Sequence, residues 1–451
     1  MITGKDLIAW GMQPGSHFRA ALDAANRAEA NGDDPKVAAL IYEPQPVKTL
    51  PLQDAGAIVY RSYLPKDTPE EIANADKVHE TMTELLRVPT IIDAEVMADA
   101  CPAGPVGTIP VGGVVETRGA LHPGFHSADI CCSVMMTRIG NINPRRVLDA
   151  AMERSHFGGG GRDKRLPPPS AILSRFADNR FLRGLEDIGH HHFGTQGDGN
   201  HFFFVGRDSA GTTTIVTHHG SRKLGAMVYK RGLAAAQEFT RKVSPETPAA
   251  SAWLNSDNDD GRDYWIALNI VADWTVANHE VIHDLVIDAV GGKKLSRAWN
   301  AHNFIFRHDY GKFYHAKGAT SLQTFGVNKR FDDGERMIPL NMAAPVLVLA
   351  PAYRYTGDSS FAPHGAGRNT GRGAHIRSLG EVDIMEQFRA ETKGLDVRFW
   401  TGHPDLSELP SAYKSASKIR QSIVDRIRAR ITDEIEPVGS IMAGNWMQAR
   451  K

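Results

Sequence analysis

The chain is short of cysteine, of net charge and of long apolar runs. Its 451 residues hold three cysteines, of which Cys131 and Cys132 adjoin and Cys101 stands apart. That spacing does not suggest a disulfide framework, so the thiols are expected to be reduced and available as metal ligands. Basic and acidic residues balance at 52 each, so no global field draws the chain to a polyanion and a nucleic-acid partner would need a local patch. No run of 18 or more uncharged apolar residues is present to span a bilayer, and Met1 to Asp6 lacks the basic and then apolar pattern of a secretory signal. A cytoplasmic protein with no membrane partner is the expectation.

What is present fits a globular chain, with 41% hydrophobic and 23% charged residues. Thr68-Pro69-Glu70-Glu71 combines an N-cap, a proline at the first helical position and a capping-box glutamate, which predicts a helix to about Arg87. Further helical patterns run from Asn143-Pro144 to the glycines at 158 to 161, and over 223–242, 263–290 and 411–430. Strands are expected over 106–115, 213–217 and 346–350. Strands and helices do not alternate regularly, which favours an α+β fold in one large domain over a doubly wound sheet.

The segment Pro363-His364-Gly365-Ala366-Gly367-Arg368 places an imidazole among backbone able to wrap a phosphate, with a guanidinium four residues on. Four other segments offer soft or borderline metal ligands beside loop-forming residues: Asp129 to Cys132, Gly197 to His201, His218 to Arg222, and His302-Asn303. A carboxylate, a thiolate and three imidazoles suit two divalent ions such as manganese, zinc or iron if one ligand bridges them. His279-Glu280-Val281-Ile282-His283 competes, because it matches the H-E-x-x-H pattern of zinc proteases. It lies inside a long apolar helix with no third ligand following, which argues against that reading. His190-His191-His192 is a further cluster, suited to phosphate contact or to a plain loop. Lys414, Lys418, Arg420, Arg426, Arg428 and Arg430 form a candidate basic patch, against which stands the plainer reading of a solvated helix face.

The order of these segments resembles the RtcB family of RNA ligases. Asp129-Ile130-Cys131-Cys132-Ser133 is similar to the family's Asp-x-x-Cys-Gly, and Gly194 to Phe202 to its Gly-Thr-Leu-Gly-x-Gly-Asn-His-Phe. His218-His219-Gly220-Ser221-Arg222, Ala301-His302-Asn303-Phe304, Lys317-Gly318-Ala319 and His364 to Arg368 follow in family order, and Ala412-Tyr413-Lys414 extends the match. The resemblance implies an RtcB-like catalytic domain over 61–451, with mixed and antiparallel sheets and surrounding helices, and an N-terminal extension over 1–60 packed on it. It also implies two manganese ions held by Asp129, Cys132, His201, His218 and His302. His364 would accept GMP from GTP and pass it to an RNA 3′-phosphate, itself released from a 2′,3′-cyclic phosphate where needed, for sealing by a 5′-hydroxyl. Asn200 and Arg222 would position phosphate oxygens, while Asn341, Gly365, Ala366, Gly367, Tyr413 and Met442 would join His364 and Asn200 around the nucleotide. An accessory activating protein is the one further partner that the resemblance suggests.

Departures gather at the base pocket. Phe204 stands where the family has a glutamate that reads guanine, Met442 stands for a lysine, and Pro339-Leu340-Asn341-Met342-Ala343 replaces Pro-Gly-Ser-Met-Gly. Nucleotide choice should therefore be relaxed or changed. The family's Met-Pro-Asp-x-His segment is placed at Cys101-Pro102-Ala103-Gly104-Pro105, where acid and histidine would both be missing. Two other readings remain: a two-metal phosphohydrolase or nuclease acting on RNA ends without nucleotidylation, and a non-catalytic RNA-end-binding protein.

Overall fold

The computed structural model describes residues 1–451 apart from 13, 16, 43–48, 309–310, 332, 352–359, 382 and 450–451. The chain forms two compact units, Met1–Leu50 and Pro51–Lys451. The first is helical, with Gly4–Ala9, Phe18–Asn31 and Pro35–Leu40 packed around Leu7, Met12, Ala21 and Ala25.

The second unit is α+β. A five-stranded sheet runs Arg61–Ser62, Ile91–Cys101, Val111–Arg118, Lys312–Lys317, Asn303–Arg307 in spatial order. The larger sheet runs Arg336–Pro339, Val346–Leu349, Ile431–Met442, Phe202–Arg207, Thr213–His219, Ser133–Arg138, Ser296–Ala301, and Asp396–Phe399 adds to it by pairing parallel to Ile431–Met442. Its other pairings are antiparallel. The central strand Thr213–His219 is buried along its whole length, and β-branched Thr213, Thr214, Ile215, Val216 and Thr217 suit that setting.

Local signals explain the helices. Thr68 and Glu71 form the expected capping box, and the helix runs Pro69–Leu85. The longest helix, Asp259–Val290, starts where the Asn258 side chain accepts from the Gly261 amide. It ends at left-handed Gly291, where the Gly292 amide returns to the Ile287 carbonyl. Trp274, Tyr264, Leu268 and Val271 on this helix are fully buried in the main core.

Two expected elements are shorter than the sequence pattern. The strand over 106–115 begins only at Val111, because Gly107 takes a left-handed turn and the Ile109 carbonyl accepts from Lys317 Nζ instead of a strand partner. The helix over 411–430 is reduced to Ala416–Ser422 and a π turn Ile423–Ile427, since Tyr413 is extended and Arg428 left-handed. The basic patch is largely absorbed there: Lys414 caps backbone carbonyls, Lys418 pairs with Asp67 and Glu71, Arg420 with Glu434, and Arg426 bonds the Ser62 and Tyr63 carbonyls.

Burial fixes an acid sensitivity in the second unit. His122 is fully buried, with Nε2 on Thr90 Oγ1, Nδ1 on the Ser251 carbonyl and its ring stacked on Phe125. Burial pulls its pKa down to about 3, and that of His126 to about 4. The unfolded chain binds these protons near pH 6.5 while the folded chain refuses them, so stability is full above pH 6.5 and is lost as pH falls towards 3. His122→Gln should flatten the dependence of unfolding free energy on pH by about 1.4 kcal/mol per pH unit between pH 6 and 4. An unchanged slope in denaturant titrations would show that His122 takes a proton in the folded state.

Candidate functional site

Four neighbouring strands of the larger sheet each deliver one ligand candidate at the same edge. His201 immediately precedes Phe202–Arg207, His218 lies near the end of Thr213–His219, Cys132 immediately precedes Ser133–Arg138, and His302 follows Ser296–Ala301. The register sets them in a row, since His218 pairs with both Phe202 and Val134, and Ser133 pairs with Ala301. Adjacent strands are about 4.8 Å apart, so successive side chains on one edge can share a small ion. Asp129 joins from the turn before Cys132, where the Cys132 amide donates to the Asp129 carbonyl.

The five groups form two overlapping triads, Asp129–Cys132–His201 and Cys132–His218–His302, each with donor atoms within 4.8 Å of one another. Cys132 Sγ belongs to both and lies 3.1 Å from His218 Nε2 and 4.0 Å from His201 Nε2, while His218 Nε2 is 3.2 Å from His302 Nε2. His201 Nδ1 faces the Gln196 carbonyl and His218 Nδ1 faces the Asn200 carbonyl. Each carbonyl holds the Nδ1 proton and aims the Nε2 lone pair inward, the outer arrangement that metal-bound imidazoles use. Burial drives all five towards their uncharged forms. It raises the Asp129 carboxyl, pushes the Cys132 thiol well above its usual range with help from Asp129, draws His218 down to about 4, and holds His201 and His302 well below the usual imidazole range. A divalent cation reverses that balance, and the mixed carboxylate, thiolate and imidazole set fits manganese, zinc or iron.

His364 follows the short strand Phe361–Pro363, and its ring lies 5.0 Å from that of His302. The residue that positions it is Asp99, on the strand Ile91–Cys101. Asp99 Oδ2 lies 2.6 Å from His364 Nδ1 and 3.1 Å from the His364 amide nitrogen. The carboxylate therefore holds the proton on Nδ1 and leaves the Nε2 lone pair free. This corrects the expectation that the acid is missing. The family pattern fits four residues earlier, at Met97-Ala98-Asp99-Ala100-Cys101, where methionine and aspartate are kept and only the proline and histidine are replaced. Glycine is required twice around this pair. At left-handed Gly367 a Cβ would collide with the Asp99 carbonyl, and at left-handed Gly318 one would press on the His364 ring. Lys414 Nζ bonds the Ala98 and Ala100 carbonyls on either side of Asp99, and burial pulls its pKa down to about 8.

A cavity of about 650 Å³ opens from this centre. Asn200, Asn341, His364, Gly365, Ala366, Gly367, Tyr413 and Met442 all line it, as do Phe202 and Phe204. Arg368 stacks on the Tyr413 ring at 4.4 Å and donates to Glu408, which also pairs with Arg372 and accepts from the Tyr413 hydroxyl. Glu408 is nearly fully buried and belonged to no motif, so the sequence held no signal for it. Arg222 does not line the cavity. Its guanidinium bonds Thr195 Oγ1 and the Gly158 carbonyl and faces Asp129 and Asp198. Cys131 and Arg222 are held at positive φ beside this cluster, a conformation that L-residues adopt only where surrounding structure enforces it.

The H-E-x-x-H segment is structural. His279 bonds Ser133 Oγ and Thr217 Oγ1, His283 bonds Thr137 Oγ1 and Thr217 Oγ1, and Glu280 turns away to Arg330 and Arg297. With every ring nitrogen committed to a hydroxyl, neither imidazole is left to hold zinc. His190 to His192 end the helix Glu186–His192, and His192 is buried.

The fold and the site define an α+β protein that sets a candidate nucleophilic imidazole beside two ligand triads that share the Cys132 sulfur. The family model described as tRNA-splicing ligase RtcB matches residues 173–442, more than half of the chain. The chain belongs to the RtcB family. Similar proteins include the tRNA-splicing ligase RtcB of Aeropyrum pernix, 23% identical, with 74% of this chain and 84% of that protein aligned. The tRNA-splicing ligase RtcB of Thermococcus kodakarensis is 26% identical and the RNA-splicing ligase RtcB of Escherichia coli 24%, each over 73% of this chain and 84% of its own length. These identities are those of a divergent member.

Proposed function

We propose that this protein is an RNA ligase that joins a 3′-phosphate or 2′,3′-cyclic phosphate end to a 5′-hydroxyl end through a nucleotidyl-histidine at His364. The observation that carries the reading is the Asp99–His364 pair, because it leaves a free imidazole nitrogen beside the ligand cluster and at the mouth of a nucleotide-sized cavity. His364 Nε2 attacks the α-phosphorus of a nucleoside triphosphate, GTP by resemblance to the family. The bond to the β-phosphate breaks and pyrophosphate leaves. An oxygen of the RNA 3′-phosphate then displaces the imidazole, so that the nucleotide passes to the RNA end, and a cyclic phosphate is first opened by water. The 5′-hydroxyl attacks the activated 3′-phosphorus, gives up its proton, and releases the nucleoside monophosphate.

Asp99 holds His364 in one tautomer throughout. Asn200 and Arg368 supply N–H donors to phosphate oxygens, and Arg222 orients the loop bearing His201 by way of Thr195. Asp129, Cys132 and His201 would hold one manganese ion and Cys132, His218 and His302 a second. Such ions neutralise phosphoryl charge and align attacking and leaving oxygens.

The test is covalent labelling with nucleotides carrying a labelled α-phosphate, in manganese, followed by sealing of a 3′-phosphate, 5′-hydroxyl RNA pair. Acid-labile, hydroxylamine-resistant label is expected on the intact protein and none on His364→Ala. Equal labelling of that variant would refute the role of His364. RNA-end hydrolysis that His364→Ala leaves unchanged would instead establish a two-metal hydrolase.

A further inference from the structure

One wall of the cavity is apolar. Phe202 and Phe204 on one strand face Met442 and Ser440 on its antiparallel neighbour, with Met442 opposite Phe202 and Ser440 opposite Phe204. Met342 and Val346 complete this wall. His364, the Gly365–Gly367 backbone, Asn200 and Arg368 gather where phosphate is expected, so a nucleotide bound there lays its base against the phenyl and thioether groups.

The polar atoms on this wall are few. Ser440 lines the cavity and is 2% exposed, and its buried hydroxyl has no hydrogen-bond partner among the described residues. Asn341 spends its side-chain oxygen on the Ala343 amide. Among the described residues the one carboxylate lining the cavity is Glu408, which is committed to Arg368, Arg372 and Tyr413. A buried hydroxyl left unpaired in the empty site is a group that a ligand is expected to satisfy.

We propose that this wall selects adenine over guanine. The proposal rests on the nucleotidyl-transfer reading above and names the nucleotide. One hydroxyl offers one donor and lone pairs, which matches the N1 acceptor and the N6 amino group of adenine. It also meets O6 and N1–H of guanine, but the 2-amino group of guanine is then left against Phe204 and Met442, whose side chains offer no acceptor. An unmet buried donor is disfavoured by about tenfold or more. Apolar area buried against the wall favours either purine over the smaller pyrimidines.

The experiment compares labelling of the full-length protein in manganese with each of the four ribonucleoside triphosphates below saturation. ATP is expected to label at least about tenfold faster than GTP. Ser440→Ala should lower the ATP rate about tenfold, and Phe204→Glu should shift preference towards GTP by a similar factor. Phe204→Gln brings an acceptor without a buried charge, so the shift remains measurable if the glutamate variant fails to fold. GTP labelling as fast as ATP, or faster, in the unaltered protein overturns the proposal while leaving the nucleotidyl-histidine intact. If no nucleotide labels the folded protein, the nucleotidyl-histidine fails. The base preference is then decided by calorimetric binding of ATP and GTP, where equal or tighter GTP binding overturns it.

Discussion

Asp99→Asn should slow labelling of His364 by about two to four orders of magnitude at saturating nucleotide, with the KM for nucleotide changed by only a few fold. The size follows from the tautomer. Asp99 Oδ2 sits 2.6 Å from Nδ1 and also accepts the His364 amide, so the carboxylate fixes both the ring proton and the ring direction. An asparagine of the same shape can turn its amino group to Nδ1, which moves the proton to Nε2 and removes the attacking lone pair. A comparable carboxylate-to-amide change behind the histidine of a serine protease triad lowers kcat by about 10⁴. Because the side chain is equally large, loss of packing is small, and the melting temperature should stay near that of the unaltered protein. Labelling that survives at the original rate would mean that His364 does not depend on this carboxylate for its reactive form.

Asp99 also marks the limit of what the chain's motifs convey. The ligand residues were legible because each sits in a short signature and these signatures follow one another in family order, and the strand register then aligns His201, His218, Cys132 and His302 on one edge. The acid was not, because the segment around Asp99 has lost the family's proline and histidine, while Cys101-Pro102 just beyond it keeps a proline in a similar setting. H-E-x-x-H matches a metal-site pattern without being one for a different reason: its spacing describes one face of a helix, whereas Thr137 and Thr217, which occupy that face, come from strands distant in sequence. Long helices with clear caps were readable, while the segment over 411–430 was not, since Tyr413 and Lys414 are drawn out of helical conformation by contacts to Arg368 and to the strand bearing Asp99. Tertiary contacts override local propensity at the residues that serve the site.

Cys132→Ser should abolish paired metal binding and lower labelling by at least about a thousandfold, whereas Cys131→Ala, one residue away, should leave metal binding as it is. The contrast rests on direction. Cys132 Sγ belongs to both ligand triads, so its loss weakens two ions at once, while buried Cys131 packs in the main core and bonds Thr275. A serine hydroxyl is a poor substitute, because the thiolate is the softer donor and can bridge. Manganese at a hundred times its dissociation constant stabilises a folded protein by about 2.7 kcal/mol, so the unaltered protein should melt higher in manganese and the Cys132 variant should not. Burial and Asp129 hold the Cys132 thiol protonated, so an entering ion must displace that proton and manganese affinity should rise with pH in the unaltered protein. A Cys132 variant that keeps both the thermal shift and its pH dependence would place the metal on other residues, and a Cys131 variant that loses them would reassign the bridging thiol.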